Sequence, residues 1–231
     1  MPGAPRLVNA LLPVGDTLWI ASAKGLYLHR DGVVRPAPVR LPSPHVNGLA
    51  AAPDGTLWVA HSQGVSAIGP RGVRHVGRRD GLPARIAYAV AVARDGAVWV
   101  GTAGGAARLA GDGIQTFRQA DGAVPHDWIN ALTPHGPDGV LAGTYDAGVV
   151  ALTPRGGAPL PELGGAWVNP GGLWAQGGVI WVATLGTGLW RAAGGVTHRV
   201  PNLPADDVTA TVWWQGRAWI GTRGGLAAGG V

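Results

Sequence analysis

The 231-residue chain carries 40 glycines, 19 prolines and 11 tryptophans at a hydrophobic share of 46%, apolar content that a disordered chain lacks, so many short apolar runs between turns are expected. It has no cysteine, which excludes disulfides, thiolate metal sites and cysteine nucleophiles and leaves the redox compartment open. The net charge of +5 rests on arginine, with Lys24 the only lysine and Glu162 the only glutamate; this matches the bias of a bacterial GC-rich genome, and nucleic acid is not an expected partner.

Met1 is followed by Pro2-Gly3-Ala4-Pro5-Arg6, with no apolar stretch of the secretory kind. No apolar run approaches the roughly 18 residues of a membrane helix. The sequence as it stands reads as cytoplasmic, without a membrane contact, and does not fix a compartment.

In chain order, Val8-Asn9-Ala10 is followed by a strand-like block around Trp19, Thr17-Leu18-Trp19-Ile20-Ala21-Ser22, and then by Gly25 and a third apolar stretch. The same three-part pattern returns around Trp58, Trp99, Leu141, Trp181 and Trp219, at spacings of 39, 41, 42, 40 and 38 residues. The upstream elements are Val46-Asn47-Gly48, Ile86-Ala87-Tyr88, Ile129-Asn130-Ala131, Val168-Asn169-Pro170 and Val208-Thr209-Ala210. Asp54-Gly55, Asp95-Gly96 and Asp138-Gly139 supply the positive-φ pairs of tight hairpins. No stretch has a 3.6-residue apolar period, so essentially no helix is expected.

Six in-phase units of three or four short strands predict an all-β chain, a single six-bladed β-propeller with blades of four antiparallel strands. The repeats run approximately over 7–44, 45–84, 85–127, 128–166, 167–206 and 207–231, and the last blade is expected to be three-stranded. Its uncovered outer strand would be a template for strand addition, so the chain is expected as a monomer or in an edge-mediated assembly.

The run Asp80-Gly81-Leu82-Pro83, Ala89-Val90-Ala91-Val92 and Asp95-Gly96-Ala97-Val98-Trp99-Val100-Gly101-Thr102 resembles the repeat of the two-component regulator propeller family. The resemblance extends over almost all of the chain and is sharpest in the third and sixth repeats. It implies a propeller used as an extracytoplasmic sensor domain for saccharides or similar ligands.

Loops before each first strand and after each second strand share one face of a propeller, around the channel mouth. His126-Asp127-Trp128 with Tyr145-Asp146 is the most distinctive set there, because the blade itself does not require it: two carboxylates, an imidazole and two aromatic rings suit sugar binding. His45, His61, Tyr88 and Trp167 complete the candidate ligand-binding residues. The recurring asparagine reads either as pocket lining or as a backbone cap. His45 and His61 have no acidic residue near them in sequence, so no metal site is expected.

No nucleophile elbow, metalloprotease helix or phosphate-cradling loop is present, and glycine pairs without a following helix cannot hold a dinucleotide; no cofactor and no catalytic residue are expected. A streptogramin-lyase-type propeller enzyme would need a His and a Glu on the channel, and Glu162 falls in an outer-strand region. The expected function is a non-catalytic binding or scaffold module that engages a protein partner or a small ligand at the mouth. A detached sensor module and a propeller lyase or hydrolase are the alternatives.

Overall fold

The structure, a computed structural model, describes residues 5–176, 178–214 and 217–229. Six antiparallel sheets follow one another along the chain and form a six-bladed β-propeller. Blade 1 holds β1 (Val8–Val14), β2 (Thr17–Ser22), β3 (Gly25–Arg30) and β4 (Val33–Pro36); blade 2 holds β5 (Val46–Ala51), β6 (Leu57–His61), β7 (Gly64–Gly69) and β8 (Gly72–Val76). Blade 3 has β9 (Ala87–Val92), β10 (Val98–Thr102), β11 (Gly105–Ala110) and β12 (Gly113–Phe117). Blade 4 has β13 (Ile129–His135), β14 (Gly139–Thr144), β15 (Val149–Thr153) and β16 (Gly156–Pro159). Blade 5 has β17 (Trp167–Gln176), β18 (Val179–Leu185), β19 (Leu189–Ala193) and β20 (Val196–Arg199), and blade 6 has three strands, β21 (Val208–Trp214), β22 (Arg217–Thr222) and β23 (Gly225–Gly229). Three single-turn 3-10 segments, Arg78–Asp80, Gln119–Asp121 and Pro161–Leu163, are the helical elements among the described residues.

The second strand of a blade is sandwiched between neighbouring blades, which is why it reads as a short unbroken apolar run. In β6, β10 and β14 every residue is buried. Trp99 shows the consequence: its ring is wholly buried, lies 5.0 Å from Phe117, and joins a cluster with Ile129 and Leu152 of the next blade. Comparable clusters seal the interfaces between blades 1 and 2, 2 and 3, 4 and 5, and 5 and 6.

The glycine of the Trp-x-Gly-Thr block has a packing reason. A Cβ on Gly101 would meet Ile129 Cγ2 and the Ile129 carbonyl oxygen at 2.8 Å. The hairpin glycines differ in kind: Gly55 and Gly96 both sit at φ +83°, where the sequence places an Asp-Gly turn. In blade 4 the expected Asp138-Gly139 turn moves upstream. Gly136 takes the positive φ and Gly139 already belongs to β14.

In five blades the first strand carries a bulge one residue in from its start, and in blade 5 the register shift runs from Val168 to Leu173. The registers Val8↔Ser22, Val46↔His61, Ala87↔Thr102, Ile129↔Thr144, Val168↔Thr184 and Val208↔Thr222 align the six blades. They correct the third repeat by one residue, since Ala87 rather than Ile86 matches Val46. Tyr88 therefore occupies the asparagine position of blade 3.

Candidate functional site

Two residue columns belong to the architecture. Asn9 Nδ2 donates to the Val46 carbonyl at 2.7 Å, Asn47 to Ala87 at 2.8 Å, Asn130 to Val168 at 2.8 Å and Asn169 to Val208 at 3.0 Å. Each asparagine thus ties its blade to the first strand of the next, a role beyond the local cap that the sequence suggested. Tyr88 breaks this column, and its ring turns instead to a neighbouring aromatic.

The second column ends the second strands. Thr102 Oγ1 accepts from the Gly104 N–H at 3.1 Å and donates to the Gly105 carbonyl at 2.7 Å. Ser22, Thr144 and Thr222 make the same clamp on their turns. His61 is the blade 2 member. Its Nδ1 accepts from the Gln63 N–H at 3.1 Å, which leaves the proton on Nε2, 2.9 Å from Ser66 Oγ. The ring is wholly buried and stacks on His75, centroids 5.3 Å apart. Burial first, and the nearby charge of His75 second, lower its pKa to about 4. His61 therefore stands under the turn rather than at the mouth. The Ser-His-Thr-Thr-Thr-Thr column was the signal in the sequence that places it there.

Four of the other candidates converge. Trp128, in the loop before β13, and Tyr145, in the turn after β14, lie ring over ring with centroids 4.9 Å apart and planes at 14°. Tyr88 of blade 3 closes on Trp128 at 5.4 Å, and Trp167 of blade 5 closes on Tyr145 at 4.4 Å with a 45° tilt. The result is a ladder of four aromatic rings across three blades. Trp128 and Trp167 occupy equivalent positions, each one residue ahead of the buried Ile129 and Val168. Trp167 is 39% exposed and offers the ladder's open ring. Partial burial raises the pKa of the Tyr88 hydroxyl, so it stays protonated and able to donate.

At the side of the ladder, His126 Nδ1 accepts from the Trp128 N–H at 2.9 Å, so Nε2 carries the ring proton. That nitrogen stands 3.5 Å from Asp146 Oδ1, whose carboxylate is open to solvent. Asp127 turns the other way: Oδ1 accepts from the Gln119 N–H at 2.7 Å and its carbonyl accepts from Gly105 at 2.6 Å. It anchors the loop to blade 3 rather than facing a ligand. His45 is exposed at the Trp128-equivalent position of blade 2, its N–H bonded to Ser43 Oγ and its carbonyl to the Ser62 N–H.

Beneath the ladder Asn130 is buried, and its Oδ1 has no hydrogen-bond partner among the described residues. Among those residues no three His, Asp or Glu side chains converge in the manner of metal ligands. Glu162 is exposed in the 3-10 turn that follows the outermost strand of blade 4. A groove of about 840 Å³ lies between blades 2 and 3, lined by Asp54, Arg71, Arg74 and Trp58. It opens on the hairpin-turn face, away from the ladder, and collects no aromatic cluster.

No family model and no curated protein matches the sequence. Solved structures do. The chain overlays the extracellular domain of a protein described as a hybrid two component system, BT3049 of B. thetaiotaomicron, at TM-score 0.78 and 16% identity. A second match is the extracellular domain of a protein described as a one component system, BT4673 of the same organism, at TM-score 0.79 and 16% identity. Each match covers 99% of this chain, which spans 35% and 34% of the respective partner. A catalytically inactive variant of virginiamycin B lyase from Staphylococcus aureus, with Quinupristin, matches at TM-score 0.75 and 15% identity, covering 99% of this chain and 81% of the lyase. The shared feature is the fold. Among the described residues no helix is long and apolar enough to cross a membrane.

Proposed function

We propose that the chain is a non-catalytic binding module whose mouth face takes a small ligand with a flat apolar side and neighbouring hydroxyls, of which a saccharide is the type. The observation that carries this reading is the aromatic ladder with a donor and an acceptor beside it. Trp167 supplies an open ring for stacking, His126 Nε2 a donor, and Asp146 a carboxylate able to accept two hydroxyl hydrogen bonds. These residues depart from the repeat, so the blades do not need them to fold.

The test is a tryptophan-fluorescence and calorimetric titration of the chain with a panel of neutral mono- and oligosaccharides, repeated with Trp167→Ala and Asp146→Asn. Saturable binding that both substitutions weaken at least tenfold supports the site. Binding that neither substitution changes, or no binding across the panel, overturns it.

A second reading is favoured by the overlay on two extracellular domains of signalling proteins. In it the same site is the input surface of an extracytoplasmic sensor. A lyase or hydrolase on this face would draw on His126 and Asp146, the imidazole and carboxylate beside the ladder. Mass spectrometry of the ligand recovered from the titration separates that chemistry from binding: an altered mass marks turnover.

A further inference from the structure

Residues paired across neighbouring strands point to the same side of a sheet, so each second-strand tryptophan heads a row that runs outward through its blade. In blade 3 the row is Trp99, Arg108 and Gln115, and in blade 5 it is Trp181, Arg191 and His198. Both arginines are engaged within their own blade. The Arg191 guanidinium stands 5.8 Å from the centroid of the Trp181 ring, and Arg108 Nη2 donates to Asp95 Oδ2 at 2.6 Å. In blade 2 the row is Trp58, Ala67 and Arg74. Ala67 is too short to fill the place that an arginine takes in blades 3 and 5. The groove of about 840 Å³ on the hairpin-turn face opens there, between Trp58, Ala67 and Arg74 on one side and Gly96 and Val98 of blade 3 on the other. Its size is that of a small-molecule cleft.

The charges around that place are reversed as well. Asp54 and Asp95 are equivalent turn residues, each accepting through Oδ1 from the N–H two residues on, Thr56 at 2.9 Å and Ala97 at 3.0 Å. In the outer hairpin Arg71 takes the turn position of Asp112, and Arg74 takes the strand position of Gln115. Blade 3 thus combines two carboxylates with one guanidinium at these positions, and blade 2 combines two guanidiniums with one carboxylate. Asp54 does not cancel them. The Thr56 N–H holds its carboxyl below the ordinary range, with the charge of Arg71 a lesser influence. Among the described residues neither Arg71 nor Arg74 forms an ion pair or a side-chain hydrogen bond. Asp95 borders a hollow of about 260 Å³ that adjoins the groove at Arg74, and it is already bonded to Arg108. A cleft with two unpaired guanidiniums at its side attracts an anion, and their donor forks suit carboxylate and phosphate oxygens.

We infer that the groove between blades 2 and 3 is a second binding site, for a small organic anion with a flat apolar body. Its carboxylate or phosphate pairs with Arg71 and Arg74, and its body lies over Ala67, between Trp58 and Val98. The body takes the place that the planar guanidinium takes in blades 3 and 5, while the reversed charge selects an anion over a cation. The site lies on the face opposite the aromatic ladder and does not depend on the saccharide reading.

Calorimetric titration and ligand-observed NMR with phenyl phosphate and benzoate test the site at low salt. Benzamidine and benzyl alcohol serve as the cationic and neutral counterparts, and inorganic phosphate as the bare anion. At least one aromatic anion is expected to saturate a single site at least tenfold more tightly than any of these three, and to weaken as salt screens the exposed arginines. Arg71→Gln combined with Arg74→Gln should weaken that binding at least tenfold. Ala67→Arg, which supplies the side chain of blades 3 and 5, should do the same by filling the groove; if it fails to fold, the arginine pair decides alone. Neither change should alter saccharide binding at the mouth, so failure of one site is distinct from failure of the other. Preference for benzamidine makes the groove a guanidinium socket and overturns the inference. Inorganic phosphate that binds as tightly as phenyl phosphate reduces the arginines to ordinary surface charge and overturns it equally. So does the absence of saturation by both aromatic anions, or binding that the arginine substitutions leave unchanged.

Discussion

Tyr145 stacks on Trp128 at 4.9 Å while its N–H donates to the Trp128 carbonyl at 3.1 Å, so one residue is fixed to another through both ring and backbone. The backbone bond is a repeat feature, made also by Ala23 to Leu7, Ser62 to His45 and Arg223 to Asp207. The ring contact is not. Blade 4 has taken a turn-to-loop bond that the fold requires and placed an aromatic side chain at each end of it. Two neighbouring blades then extend the pair, Tyr88 by replacing a clamping asparagine and Trp167 by standing at the Trp128-equivalent position.

Tyr145 is the middle rung, so its loss should uncouple Trp128 from Trp167. Aromatic pairs of this kind contribute about 0.5–1.5 kcal/mol each. Tyr145→Ala is expected to weaken ligand binding by roughly tenfold, since 1.4 kcal/mol corresponds to that factor. Tyr145→Phe keeps the rings and should bind within about twofold of the unaltered chain. Calorimetric titration of the two variants checks the pair. Equal weakening by both would place the effect on the hydroxyl and not on the stack.

His61 gives the chain a pH-dependent stability with a definite sign. Its folded pKa, about 4, lies below the ordinary 6.5 because burial penalises the charged ring. Above pH 6.5 the ring is neutral in both states and adds no pH dependence. Between pH 6.5 and 4 the unfolded chain binds a proton that the folded chain refuses, so stability falls as pH falls and levels off below 4. The full loss is about 3 kcal/mol. His61→Thr restores the hydroxyl found in most blades and removes this proton linkage. Urea denaturation at pH 7.5 and pH 4.5 should show the unaltered chain losing more stability than the variant; equal losses would contradict the assignment.

The inter-blade clamps should rank by burial. Asn130→Ala strands the buried Val168 carbonyl without its donor and is expected to cost about 1–3 kcal/mol. Asn9→Ala removes the same kind of bond from an asparagine that is itself exposed, so less buried contact goes with it, and should cost less than Asn130→Ala. Gly101→Ala provides a steric counterpart: a methyl group forced against Ile129 should cost about 1–3 kcal/mol. Thermal unfolding of the three variants tests the order.

Much of this was legible from period alone. Trp58, Trp99, Leu141 and Trp181 announce the buried second strands because burial on both sides leaves no polar alternation to confuse them. Trp128 and Tyr145 could be singled out because the repeat does not require them, and Tyr88 and Trp167 only by their place among the mouth loops. Their contact with one another could not be read, since it depends on ring directions across three blades. His61 and Asp127 show the opposite failure. A histidine in a hydroxyl column and an aspartate beside a tryptophan look like chemistry, yet backbone N–H groups on adjacent turns had already claimed both.

The repeat tryptophans and the ladder tryptophans should separate cleanly under one substitution. Trp99 is wholly buried between blades 3 and 4, so Trp99→Ala removes a large ring and leaves a cavity, at a cost of about 3–5 kcal/mol. That is a large part of a domain's total stability, and much of the variant should be unfolded at moderate temperature. Trp167 meets solvent on one side and Tyr145 on the other. Trp167→Ala should shift stability by about 1 kcal/mol or less while removing ligand binding. Thermal unfolding and saccharide titration of both variants form a two-by-two comparison. A Trp167→Ala chain that binds normally, or one that unfolds as readily as Trp99→Ala, would return that ring to the scaffold and leave the mouth face without its stacking platform.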